Sequence, residues 1–164
     1  MACRGVLFAL TEEQENHLCE AKGDEAVTDF VDEVEELWDE ENLQELDKSW
    51  DSMHRCLSDG TTCFEGGTYP LNRTILGGQH FHEGDDYIVV FVNRDEVKDV
   101  AKALEGVTEP WIRERFFALT TTDFPQMYID EQTLGYTWEY LECVRDFYAH
   151  AAQQGRSVIF TVDQ

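Results

Sequence analysis

Three groups of residues have the types and spacing to do chemistry. The first is Trp50, Asp51 and His54. On a helix Trp50 and His54 fall at i and i+4, so their rings can meet, while Asp47 and Asp51 lie one turn apart on an adjacent face. A carboxylate that orients a histidine makes a general base. The simpler reading of the same residues is an aromatic core position beside a hydrogen-bonded histidine that fixes the packing. No motif places a serine or cysteine nucleophile next to them, and Cys56, two residues beyond His54, points elsewhere on a helix.

The second group is His80-x-His82, followed by Glu83, Asp85 and Asp86. In an extended segment i and i+2 share a face, so two imidazoles could begin a transition-metal site. A third ligand would have to come from elsewhere, and no metal or cofactor is assigned. The neighbouring Gly77, Gly78 and Gly84 favour a surface loop, with Phe81 as an exposed anchor for a partner.

The third group is acidic. Residues 11–51 hold 17 acids and two lysines, and no Lys or Arg lies between Asp24 and Glu45. A helix is expected from Glu25 to Leu43, with Val27, Phe30, Val31, Val34, Leu37 and Trp38 as one apolar stripe. Glu25, Asp29, Asp32, Glu36, Asp39 and Glu40 then form the opposite face, with Glu33 and Glu35 on its flanks. Like charges at i, i+4 (Asp29/Glu33, Asp32/Glu36, Glu35/Asp39, Glu36/Glu40) cost about 0.2–0.5 kcal/mol per pair. Two readings stand: a solvated face, or a surface whose repulsion a cationic partner relieves. No calcium-loop pattern of the D-x-D-x-D-G kind is present.

The rest of the chain must position these groups. Its 164 residues suit one domain, and 42% hydrophobic residues suffice for a core. A formal net charge of −23 repels nucleic-acid phosphates and anionic lipid heads, which argues against both as partners. No apolar run approaches the roughly 18 residues of a membrane span. Gly5 to Leu10 is too short for a signal sequence and Glu12 follows at once, so a cytoplasmic location is expected. Five cysteines, an odd number without a C-x-x-C pair, read as reduced thiols.

Residues 3–10 read as a buried strand, and Thr11-Glu12-Glu13-Gln14 as a capping box opening a helix that stops near Gly23. A helix over 47–58 puts Leu46, Trp50, Met53 or His54, and Leu57 on one face. Thr74 to Leu76 reads as a short strand, 79–86 as a polar loop, and Tyr87 to Val92 as the clearest strand, apolar on both faces. Asn93 and Thr108 cap two further helices, which end at Gly106 and about Phe117. A long helix covers about 131–154, closed by Gly155, and 157–162 is the last strand. Strands and helices do not alternate regularly. That predicts α+β: a single domain whose small mixed or antiparallel sheet of about four strands packs against about six helices.

With the elements placed, the sequence resembles the YfbM-like family of small bacterial proteins. Leu46-Asp47-Lys48-Ser49-Trp50-Asp51-Ser52-Met53-His54 is the most specific segment. Pro70-Leu71 through Ile75-Leu76-Gly77-Gly78, the Asn93-to-Gly106 helix with Glu109 to Phe117, and Tyr148-x6-Gly155 before a strand complete it. The resemblance implies one α+β domain across nearly the whole chain and carries no catalytic residue. It implies a link to immunity proteins of bacterial toxin systems through some relatives.

The expectation is therefore a non-enzymatic, acidic protein-binding module, most simply an immunity-type inhibitor that blocks a basic, cytosol-acting toxin domain such as a nuclease. Its partner surface would be Glu25, Asp29, Asp32, Glu33, Glu36, Asp39, Glu40 and Phe81. The alternatives are a small enzyme or ligand-binding protein with a pocket around Trp50, Asp51 and His54, and a housekeeping scaffold.

Overall fold

A computed structural model describes residues 3–120 and 123–164. The strands are β1 (Gly5–Leu10), β2 (Leu43–Asp47), β3 (Gln79–His80), β4 (Tyr87–Val92) and β5 (Ser157–Asp163). The helices are α1 (Glu12–Glu20), α2 (Asp24–Leu37), α3 (Ser49–Leu57), α4 (Arg94–Glu105), α5 (Glu109–Phe117) and α6 (Glu131–Gln153). The strands form one antiparallel sheet in the order β2-β1-β5-β4-β3. The architecture is the expected α+β, with five strands rather than about four.

Side chains on successive strand residues point to opposite faces, and here both faces are covered. Leu7, Ala9, Val90, Val92, Val158 and Phe160 join the larger core cluster, which also takes buried residues of α3, α4, α5 and α6. Phe8, Leu10, Val89, Phe91 and Ile159 face the other way and join Leu18 of α1 and Val27, Phe30, Val31 and Val34 of α2. The sheet is thus a middle layer, which is why β1, β4 and β5 lack the alternation of a half-exposed sheet. The register Leu7↔Phe160, Phe8↔Ile159 and Ala9↔Val158 keeps the two sets apart.

Local signals fix most element starts. Thr11 caps α1 through a capping box with Gln14, and Asn93 caps α4 through one with Glu96. Thr108 caps α5, Asp130 caps α6, and Gly155 follows α6 with φ +65°.

Four expectations are corrected. The helix expected to Leu43 stops at Leu37, because Trp38 takes a left-handed conformation (φ +40°), and the stretch between the two expected helices, Leu43–Asp47, forms a strand, β2, that was not foreseen. Thr74 to Leu76 is not a strand; it follows a short 3-10 turn (Leu71–Arg73), and the Thr74 hydroxyl bonds the Leu71 carbonyl. The expected loop 79–86 begins instead with β3, paired to β4 through Gln79↔Phe91 and His80↔Val90. Gly23 is not the stop of α1 but the residue before α2, where φ is +83°.

Candidate functional site

The acidic face of α2 is exposed because its other side is committed to the sheet. Glu25, Asp29, Asp32, Glu33 and Glu36 all lie in solvent, while Val27, Phe30, Val31 and Val34 are buried beneath them. Among the described residues the arginine ion pairs go to Asp47, Asp51, Asp123, Glu96, Glu15, Glu109 and Glu131, none of them in this face. Glu33 lies 3.4 Å from His17 of α1. Glu35, on the flank, accepts from the Tyr87 hydroxyl at 2.8 Å. Asp39 and Glu40 are exposed but lie beyond the helix end, so the expected i, i+4 pairs Glu35/Asp39 and Glu36/Glu40 do not form within a helix. The Asp39 carboxylate instead accepts from the Glu41 backbone N–H at 3.3 Å and the Asn42 side-chain amide at 2.7 Å.

The N-terminal end of this helix is tied down. The Asp24 carboxylate accepts the backbone N–H groups of Glu83 and Gly84, each at 2.9 Å. Those bonds favour the ionised carboxylate, and Asp24 titrates below the usual aspartate value, with the Glu83 N–H the largest cause.

The group of Trp50, Asp51 and His54 does not assemble as a base. Trp50 and His54 are both buried in the core. The Trp50 indole N–H donates to the Cys3 carbonyl at 2.9 Å, and its ring packs on Phe160 with centroids 5.7 Å apart. His54 Nε2 lies 3.3 Å from the Cys63 carbonyl oxygen, while its Nδ1 is buried without a hydrogen-bond partner. Burial pushes the His54 pKa down, so the imidazole is held neutral. Asp51 bonds Arg55 at 2.6 Å, one turn along α3, rather than His54. The carboxylate–histidine pair that the sequence suggested is thereby replaced by a carboxylate–arginine pair. Cys56 is buried too, and burial raises its thiol to about 12, far from the thiolate a nucleophile needs.

The histidines of the His80-x-His82 group part company. His80 Nε2 donates to the Leu76 carbonyl at 2.9 Å, and the ring stacks on Phe64 with centroids 3.9 Å apart. The His82 side chain is buried against Gly84, Asp24 and Tyr87. Among the described residues no three His, Cys, Asp or Glu side chains come together in a metal-binding arrangement. Phe81, expected as an exposed anchor, is half-buried: it packs edge-on to Phe91 and extends the core under α1 and α2.

Other features escaped the sequence. Arg55, almost wholly buried, is bonded by Asp51 and by both oxygens of Asp123, at 3.2 and 3.0 Å. Its i−4 spacing from Asp51 was visible; its reach to Asp123 was not. A cleft of about 710 Å³ is lined by Cys63, Phe64, Glu65, Asn72, Arg73, Gly77, Gly78 and His80. Gly77 has to be glycine there, since a Cβ would come within 2.1 Å of the Asn72 carbonyl oxygen.

The fold and this arrangement define a single α+β domain with a helix-covered antiparallel sheet. The chain belongs to the family described as "Domain of unknown function (DUF1877)", whose model matches residues 1–161. It is similar to YfbM from Escherichia coli, itself described as a protein of unknown function, with 20% identity and a TM-score of 0.68. That match covers 97% of this chain and 99% of the other, and it shows the shared fold. No curated protein matches the chain. Among the described residues no helix is long and apolar enough to cross a membrane.

Proposed function

We propose that this protein is a non-enzymatic, acidic binding module that docks a basic protein partner on the outer face of α2. The best-fitting role is that of a cytoplasmic immunity-type inhibitor covering the cationic groove of a toxin domain such as a nuclease. One observation carries the reading: Glu25, Asp29, Asp32, Glu33 and Glu36 lie in solvent on one helix face with no arginine or lysine ion pair among the described residues. A helix needing only solubility would interleave lysines and lose its like-charge repulsion. An array of carboxylates carries the negative charge that a phosphate-binding groove is built to hold. Its main effect is on the association rate, which electrostatic steering raises and salt suppresses.

A ligand pocket around Trp50, Asp51 and His54 lacks comparable support. Two of the three side chains are buried in the core and the third is engaged by Arg55.

The test is affinity capture from the host at low salt with the protein and with its Asp29→Lys/Asp32→Lys/Glu36→Lys variant, read by mass spectrometry. A basic protein retained by the first and lost by the second supports the reading. Equal capture by both contradicts it.

A further inference from the structure

Leu37 and Trp38 stand in solvent at the end of α2, 64% and 37% exposed, although they continue its apolar stripe. Val34, one turn earlier, is buried against the sheet. The helix ends at Leu37, and the left-handed Trp38 swings the chain away, so the last two apolar residues overrun the surface their stripe covers. Trp38 is held on one side, its ring edge-on to Phe8 with centroids 6.1 Å apart. Exposed carboxylates of Glu33, Glu36, Asp39, Glu40 and Glu41 flank the pair along the chain. The nearest cations in sequence are Lys22 and Lys48.

We propose that Leu37 and Trp38 are the apolar anchor of a docking surface for a cationic protein segment that presents an apolar side chain among lysines or arginines. The proposal rests on the acidic face of α2 being the binding surface, and it specifies which residues hold the partner once charge has delivered it. Steering groups at a rim speed encounter, whereas a tryptophan at the centre of a contact sets how long it lasts. Charge selects the occupant. A second copy of this chain would bring the same carboxylates face to face, and a phosphate or anionic lipid surface would be repelled equally. A cationic segment with an apolar residue satisfies rim and centre together.

The test uses two fluorescently labelled peptides of equal length and charge, one interleaving Lys with Leu and the other Lys with Ser, titrated by anisotropy. The protein is expected to bind the Lys/Leu peptide about tenfold or more tightly than the Lys/Ser peptide. That difference should persist as salt is raised, because apolar contact is not screened. The variant Leu37→Ser/Trp38→Gly should lose the difference and bind the Lys/Ser peptide as before. Glycine suits the left-handed backbone at position 38, so the fold should hold. If the double variant melts early, Leu37→Ser alone carries the test, with a loss of about threefold or more expected. Equal affinity for both peptides, or a variant that keeps the difference, overturns the anchor and leaves the acidic-face reading standing. Failure of both peptides to bind at low salt overturns that reading and the anchor with it.

Discussion

Asp24 and Gly84, 60 residues apart in sequence, are joined by a 2.9 Å hydrogen bond from the Gly84 backbone N–H to the Asp24 carboxylate. The bond pins the start of α2 to the turn between β3 and β4, and Glu83 adds a second. The acidic face is therefore presented by a helix fixed at its first residue. Asp24→Ala is expected to speed hydrogen exchange of the Glu83 and Gly84 amides by about tenfold or more while leaving core amides such as Val90 unchanged. Because the folded-state pKa of Asp24 is lowered, the tie is present above the ordinary value of 3.8 and is lost as pH falls through the lower folded value. Exchange at the two amides that does not respond to the substitution would mean the carboxylate is not holding the turn.

His54 supplies a pH dependence of its own. Its pKa is lowered on folding, so the unfolded chain takes up the proton first. The stability it contributes is complete above the unfolded value of about 6.5 and declines as pH falls below it, by up to about 1.4 kcal/mol per pH unit. Urea denaturation of the protein and of His54→Gln, compared between pH 7.5 and pH 5.5, isolates this effect. The difference between the two proteins should shift with pH, and a parallel pair of curves would show that burial does not disfavour protonation of His54.

Two glycines in or beside α6 should respond in opposite directions. Gly155 has φ +65° and open space around its Cβ position, so Gly155→Ala should destabilise by about 1 kcal/mol through backbone strain alone. Gly135 lies within the helix with nothing near its Cβ position, so Gly135→Ala should stabilise by about 0.5–1 kcal/mol. Thermal or urea melts distinguish the two, and matching signs would contradict the helix boundary.

Without a partner the acidic face should be a cost to the fold. Asp32 and Glu36 are both exposed and one turn apart on α2. Asp32→Lys should raise stability at low salt by about 0.5 kcal/mol, and the gain should fade as added salt screens surface charge. A loss of stability would mean that the aspartate has a structural partner.

Much of the fold was legible because its signals are local. Thr11 with Gln14, Asn93 with Glu96, and Gly155 after α6 declare helix ends within a few residues of sequence. What escaped depends on contacts made elsewhere. Leu43-Gln44-Glu45-Leu46-Asp47 has its leucines three apart, a helical spacing, and becomes a strand by pairing with β1. Trp38 ends α2 in a left-handed conformation with no glycine to announce it. That one residue takes Asp39 and Glu40 off the helix and brings Leu37 into solvent. The carboxylate of Asp51 had two neighbours within a turn, His54 and Arg55, and the buried guanidinium holds it. Phe81 reads as a loop residue but continues the chain past β3 beside β4, where its backbone N–H donates to the Val89 carbonyl.

The most direct measurement is the association rate of the captured basic partner with three proteins at low salt. One is unaltered. One carries Asp29→Lys/Asp32→Lys/Glu36→Lys on α2. The third carries Glu139→Lys/Glu142→Lys/Asp146→Lys on the exposed side of α6, with the same change in net charge. If the partner docks on α2, the α2 variant should associate at least about tenfold more slowly than the α6 variant, and added salt should narrow the gap. Equal rates for the two variants would show that only total charge matters and would contradict docking on the α2 face.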